Sequence, residues 1–165
     1  PCGHKVSDRF YYLSISEDWN PGFMAGYLNS SLGWFMEETL GKSRGNTLEF
    51  NKPDYMIFPV LTVNDSVQQE IEEKLYDLME RDTEVVFEEL GGYNPENVSF
   101  ESVRADRKSL DSLIFDELDL NEDTRDRLYQ VIVQSARDRL MRQPDENPSL
   151  CEKIAEHNPQ YDYSR

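Results

Sequence analysis

Apolar residues recur along this chain in two rhythms, and the change from one to the other divides it. Arg9-Phe10-Tyr11-Tyr12-Leu13-Ser14-Ile15-Ser16 gathers aromatic and β-branched residues and ends in alternation, which predicts a strand. Asn20-Pro21 predicts a helix cap followed by proline at the first helical position. Phe23, Tyr27, Leu28, Ser31, Leu32, Trp34, Phe35 and Leu40 follow at helical spacing until Gly41 ends the run. Thr47-Leu48-Glu49-Phe50 alternates like a strand, and Lys52-Pro53-Asp54-Tyr55 reads as a turn or a single helical turn. Residues 56–61 read as a short apolar strand, which Pro59 confines to a sheet edge.

From residue 63 the rhythm is helical. Asp65 predicts a cap, with Gln68 three residues later completing a capping box, for a helical segment running to Gly91-Gly92. Its apolar face is Val67, Ile71, Leu75, Leu78 and Val86. Asn94-Pro95 interrupts the chain. A helix over 106–118 carries Leu110, Leu113, Ile114 and Leu118, and Asn121 caps another with Leu128, Ile132, Ala136 and Leu140 a turn apart. Pro144 ends that helix, a last one starts at Asn147-Pro148, and residues 158–165 read as a tail. The predicted class is α+β: a small mixed β-sheet with one amphipathic helix (1–62), then a predominantly helical C-terminal part (63–165).

Composition sharpens this division. Hydrophobic residues at 38% are enough for a core, which argues against a disordered chain. No apolar run approaches the ~20 residues that span a bilayer, so no membrane partner is expected. No basic start followed by an apolar stretch marks a signal peptide, and two cysteines, Cys2 and Cys151, fit a reducing cytoplasm better than a disulfide scaffold. Cys2 and His4, with a distant Cys151 and His157, lack the spacing of a zinc site, so no metal is expected. The first residue is Pro1 rather than Met, which points to a piece of a longer polypeptide. The formal net charge is −16, and it is unevenly spread. Residues 1–60 hold five Lys/Arg against seven Asp/Glu, whereas the remainder holds twelve against twenty-six. A salt-rich cytoplasm is one source of such acidity, an acidic helical module the other.

Candidate chemistry is sparse. The chain has no phosphate-cradling or dinucleotide glycine motif, no zinc-protease motif and no nucleophile elbow. The adjacent carboxylates Glu37-Glu38, Glu72-Glu73 and Glu88-Glu89 point about 100° apart on a helix and read as a solvated face. No catalytic residue is assigned. The exception to the acidic background is Gly41-Lys42-Ser43-Arg44-Gly45-Asn46. Two glycines permit close approach to another backbone, and Lys42, Ser43, Arg44 and Asn46 are donors suited to phosphates and base edges. An ordinary solvated helix-to-strand turn is the competing reading.

Several pieces in fixed order carry a resemblance. These are Val6-Ser7-Asp8-Arg9-Phe10, Tyr27-Leu28-Asn29-Ser30-Ser31, Gly41-Lys42-Ser43-Arg44-Gly45, Tyr55-Met56-Ile57-Phe58-Pro59-Val60-Leu61, and the stretch from Gln68 to Leu75. Together, over about residues 5–80, they resemble the end of the target recognition domain in DNA adenine-N6 methyltransferases of restriction–modification systems. They are similar also to type I specificity subunits. Residues 81–142 look like the helical tail of large single-chain members.

The resemblance implies a parent that transfers a methyl group from S-adenosylmethionine to adenine, with this segment positioning duplex DNA and catalysis in an N-terminal domain. It carries no glycine-rich cofactor loop and no NPPY-type tetrapeptide, so no cofactor is assigned to the segment itself. The DNA-contacting set is then Lys42, Ser43, Arg44 and Asn46, with Lys5 and Arg9 on the backbone. The alternative is a helical protein-interaction or homo-oligomerising module without DNA affinity, in which Trp19, Trp34 or Phe35 lies in an interface.

Overall fold

A computed structural model of the chain describes residues 19–44, 47–50 and 52–159. The strand expected over 9–16 therefore lies outside the described residues, as do Cys2 and His4. The helix expected over 21–40 is two helices, α1 (Pro21–Asn29) and α2 (Ser31–Leu40). Asn20 caps α1 as its position predicts, its side chain accepting from the amides of Gly22 (2.7 Å) and Phe23 (3.3 Å). The break falls at Ser30, whose hydroxyl donates to the Tyr27 carbonyl at 2.6 Å and accepts from the Gly33 amide at 3.2 Å. Serine competes for backbone groups in this way, ending one helix and capping the next.

The described strands form one antiparallel pair, β1 (Lys42–Arg44) with β2 (Thr47–Glu49), in the register Lys42↔Glu49, Ser43↔Leu48, Arg44↔Thr47. The chain is thus α+β and mostly helical, as its pattern predicts, but the sheet among the described residues is a hairpin rather than a mixed sheet. A short helix, α3 (Lys52–Met56), follows. Residues 56–61 are not the expected edge strand: Met56 and Ile57 are exposed, Pro59 has no amide to donate, and the segment is tied down by the Tyr27 hydroxyl donating to the Pro59 carbonyl (3.0 Å).

α4 (Asp65–Met79) is capped by Asn64 rather than Asp65, the Asn64 side chain accepting from the Val67 amide at 3.1 Å. Gln68 forms no capping box; its carbonyl oxygen accepts from the Asn20 amide (3.0 Å), joining α4 to the start of α1. α4 stops twelve residues before Gly91, because Asp82, Thr83 and Val85 are weak helix formers and Arg81 turns to carboxylates elsewhere. α5 (Val86–Glu89), α6 (Ala105–Glu117), α7 (Glu122–Leu140) and α8 (Pro148–His157) complete the order, with short 3-10 turns at Pro95–Asn97 and Pro144–Glu146. α6 agrees with its predicted span within a residue, α8 starts at Pro148 as predicted, and Asn121 caps α7 through the Thr124 amide (2.9 Å), but α7 ends at Leu140, before Pro144. Residue 158 is not tail: Asn158 is fully buried and bridges the Tyr93 and Ile154 carbonyls.

One apolar core holds these helices together. α1 packs on α4, α4 on α6, and α2 on α7. Phe23, Tyr27 and Met36 lie in the same buried cluster as Ile71, Leu110, Ile114, Phe115, Tyr129, Ile132 and Ile154, so packing runs straight across residues 62–63. Gly26 permits α1 to approach α4 closely. A β-carbon there would sit 2.7 Å from the Ile71 side chain and 3.1 Å from its carbonyl oxygen.

Candidate nucleic-acid interface

The basic hexapeptide becomes the hairpin. α2 delivers it: the Gly41 amide closes the helix on the Glu37 carbonyl at 2.8 Å, and a β-carbon at Gly41 would meet that carbonyl at 2.6 Å and the Phe50 ring at 2.9 Å. Lys42, Ser43 and Arg44 then form a fully exposed strand. Lys42 and Arg44 are two apart and share one face, while Ser43 points to the other.

Both cations have acidic neighbours within the chain. Lys42 Nζ lies 3.7 Å from Asp54, and Arg44 donates to Glu49 at 3.3 Å. The basic side chains remain 67% and 79% exposed. Asp54 is itself largely covered, whereas Arg44–Glu49 is exposed on both sides, and a pair of that kind contributes about 0–1 kcal/mol, little enough for a phosphate to replace the carboxylate. The Ser43 hydroxyl accepts a hydrogen bond from Arg142, just beyond α7, at 3.0 Å. Asn46, Lys5 and Arg9 lie outside the described residues.

Sequence reasoning missed Arg142. Basic residues at the end of α7 are visible as Arg137 and Arg139, with Arg142 just beyond, and they suit the negative end of a helix dipole. Nothing local links them to a serine 99 positions earlier. The same helix end is anchored by Arg139, which binds Glu38 of α2 at 2.5 Å.

Away from the hairpin a few charges are interior. Glu89, expected on a solvated face, is 1% exposed. Arg81 grips both its oxygens (2.6 and 2.7 Å) and also binds Asp106, while Arg107 donates to Glu89 at 3.0 Å. Burial raises the Glu89 pKa, but the two guanidiniums outweigh it and hold the carboxyl below its usual range. Glu89 lies on a helix as its spacing predicts, but Arg81 from just beyond α4 and Arg107 from α6 converge on it. Arg107 also donates to the Asn29 carbonyl (2.6 Å) and lies 3.9 Å from the centre of the Trp34 ring, so Trp34 is engaged within the chain. Glu38, too, is interior, and Glu72 accepts from the Asn20 side chain at 2.7 Å.

Asp111 is fully buried. It accepts from the Ser31 amide (2.8 Å), the Ser31 hydroxyl (2.6 Å) and the Tyr129 hydroxyl (2.9 Å). Burial pushes its pKa up, against Arg107 and the Ser31 donors. Each of these carboxylates is filled by donors of the chain itself, which suits bracing rather than proton transfer to a substrate. Among the described residues no group of three His, Cys, Asp or Glu could hold a metal ion.

Two of the four Asn-Pro steps carry side-chain caps. Asn20 starts α1, and Asn94 accepts from the Glu96 amide at 3.0 Å to open a 3-10 turn. An open groove of about 590 Å³ runs between α2 and the α6–α7 corner, lined by Leu32, Phe35, Leu118, Leu120, Leu128 and Val131. No described helix is long and apolar enough to cross a membrane. Compared with known proteins, the chain matches no family model, no curated protein and no solved structure.

Proposed function

We propose that this chain is the DNA-contacting C-terminal segment of a restriction–modification adenine-N6 methyltransferase. The observation that carries the reading is the β1–β2 hairpin, with Lys42, Ser43 and Arg44 exposed on an otherwise strongly acidic chain. A two-stranded ribbon fits the major groove of duplex DNA, and lysine, arginine and serine suit its phosphates and base edges. α2, α3 and α7 position that ribbon; the acidic helices brace it.

Methyl transfer itself belongs to an N-terminal catalytic domain of the parent. S-adenosylmethionine supplies the methyl group there. In this segment the side chains of Asn20 and Asn94, two of the asparagines that precede proline, are committed as caps, which leaves neither to hold a flipped adenine.

The test is an electrophoretic shift with duplex DNA on the polypeptide that joins this chain to its catalytic domain. Arg44→Ala weakens the complex if the reading holds; an unchanged shift removes the hairpin from the interface. The 165-residue chain alone binds weakly, since few phosphates are neutralised, and incorporates no labelled methyl group. Incorporation by that chain would overturn the assignment of catalysis elsewhere.

A second reading, a protein-docking module, is favoured by the apolar groove beside Phe35. It requires that duplex affinity be absent and that Phe35→Asp abolish association with a partner.

A further inference from the structure

The described cations of this chain are almost all answered by its own acids, as expected where thirty-three Asp and Glu face seventeen Lys and Arg. Carboxylates lie in salt-bridge range of Lys42, Arg44, Lys74, Arg81, Arg104, Arg107, Lys108, Arg125, Arg137, Arg139 and Lys153. Among the described side chains, the cations outside that set are Arg127 and Arg142. Arg127 sits on the rim of the apolar groove. Arg142 is exposed and donates to Ser43 at 3.0 Å.

Position gives this exception its meaning. Lys42 and Arg44 occupy one face of β1, and Ser43, with Arg142 attached, occupies the other. The hairpin therefore carries positive charge on both faces, the second supplied from the far end of the chain. A ribbon with cations on one face suits a flat anionic surface. A ribbon with cations on both faces suits a groove, because both walls of a duplex groove carry phosphates. Arginine has five N–H donors in a fixed fork, so the bond to Ser43 leaves donors for a phosphate oxygen.

We infer that Arg142 is a further phosphate-contacting residue, placed on the Ser43 face so that the hairpin grips both backbones of a duplex groove. The inference rests on the reading that the hairpin contacts DNA. It adds a residue from the helical part, and it specifies a double-stranded partner.

The experiment is the salt dependence of binding by the full-length polypeptide that carries this chain. Fluorescence anisotropy follows a labelled duplex and, separately, one of its strands. For the duplex, Arg142→Ala lowers the slope of log affinity against log salt by about 1, weakening all sequences alike. Arg142→Lys retains the slope, and Arg127→Ala, about 22 Å away along α7, leaves it unchanged. On the single strand, which offers one backbone, Arg44→Ala still lowers the slope and Arg142→Ala does not.

If Arg142→Ala matches the wild type on duplex while Arg44→Ala weakens it, the hairpin reading stands and the role of Arg142 is overturned. An equal loss with duplex and single strand overturns the groove. Absence of duplex binding, or indifference to Arg44→Ala, overturns both. Circular dichroism melts of each variant separate these results from unfolding.

Discussion

Two of the places where arginine and glutamate meet in this molecule lie under opposite conditions. At the α4–α5–α6 junction, Arg81 and Arg107 converge on a Glu89 that is 1% exposed. At the hairpin, Arg44 meets Glu49 at 3.3 Å with both side chains in water. The residue types are the same, and the consequences differ by the cost of desolvation. Removing one partner of the buried set leaves charge stranded in a poorly polarisable interior, so the network is committed to holding helices together. The exposed pair exchanges easily with water, salt or a phosphate, which leaves it available for binding.

Breaking the interior network is expected to have the largest effect. Glu89→Ala should destabilise the fold by about 3–5 kcal/mol in chemical denaturation, because Arg107 remains buried without its carboxylate. A loss of under about 0.5 kcal/mol would show that the contrast with the surface is false. Asp111→Ala comes next. It strands the Ser31 amide, the Ser31 hydroxyl and the Tyr129 hydroxyl, and about 3 kcal/mol is expected by the same measurement.

Acid sharpens the comparison. Glu89 and Asp106 are both held below the usual carboxylate range, burial acting upward and the arginines outweighing it. They bind a proton less tightly folded than unfolded. Their contribution is complete above the ordinary carboxylate pKa and is lost as pH falls through their depressed values. Asp111 runs the other way: its raised pKa gives a contribution present at low pH and lost as pH rises through it. Glu89→Gln should therefore flatten the rise of stability with pH between about 2 and 5, and Asp111→Asn should steepen it, as read from denaturation midpoints across that range.

The surface changes should be nearly silent in stability and visible in binding. Arg44→Ala shifts the denaturation free energy by less than about 0.5 kcal/mol while weakening duplex binding several-fold. The smallest effect is expected of Glu49→Gln. It removes the carboxylate that faces Lys42 across the hairpin and pairs with Arg44, so the duplex should bind slightly more tightly. Weaker binding by that variant would mean that Glu49 orders the cations rather than competing for them.

Much of the architecture could be read from local pattern. Asn20-Pro21, Asn121 and Pro148 mark helix starts by chemistry that acts over two or three residues, and the apolar spacing of α6 and α7 fixes their inward faces. The basic hexapeptide between two glycines reads as an exposed turn, and the described part of it is exposed. Errors gathered where distant partners decide. Ser30 breaks a run whose periodicity continues through it, since Asp111, eighty residues later, binds the next amide. Residues 56–61 have strand composition but no strand partner among the described residues. Glu88-Glu89 reads as one solvated pair, yet Glu88 faces Lys153 at the surface and Glu89 faces two arginines inside.

By itself, then, the sequence determined the α+β class, the helical C-terminal half, most helix starts and the location of the positive tip. These follow from propensity, capping and periodicity, which are short-range. Only the tertiary structure decided which carboxylates lie inside, that α1 and α2 share a core with the acidic helices, and that Arg142 stands against Ser43. Those depend on which surfaces meet after packing, and burial sets the value of each charge only once that meeting has occurred.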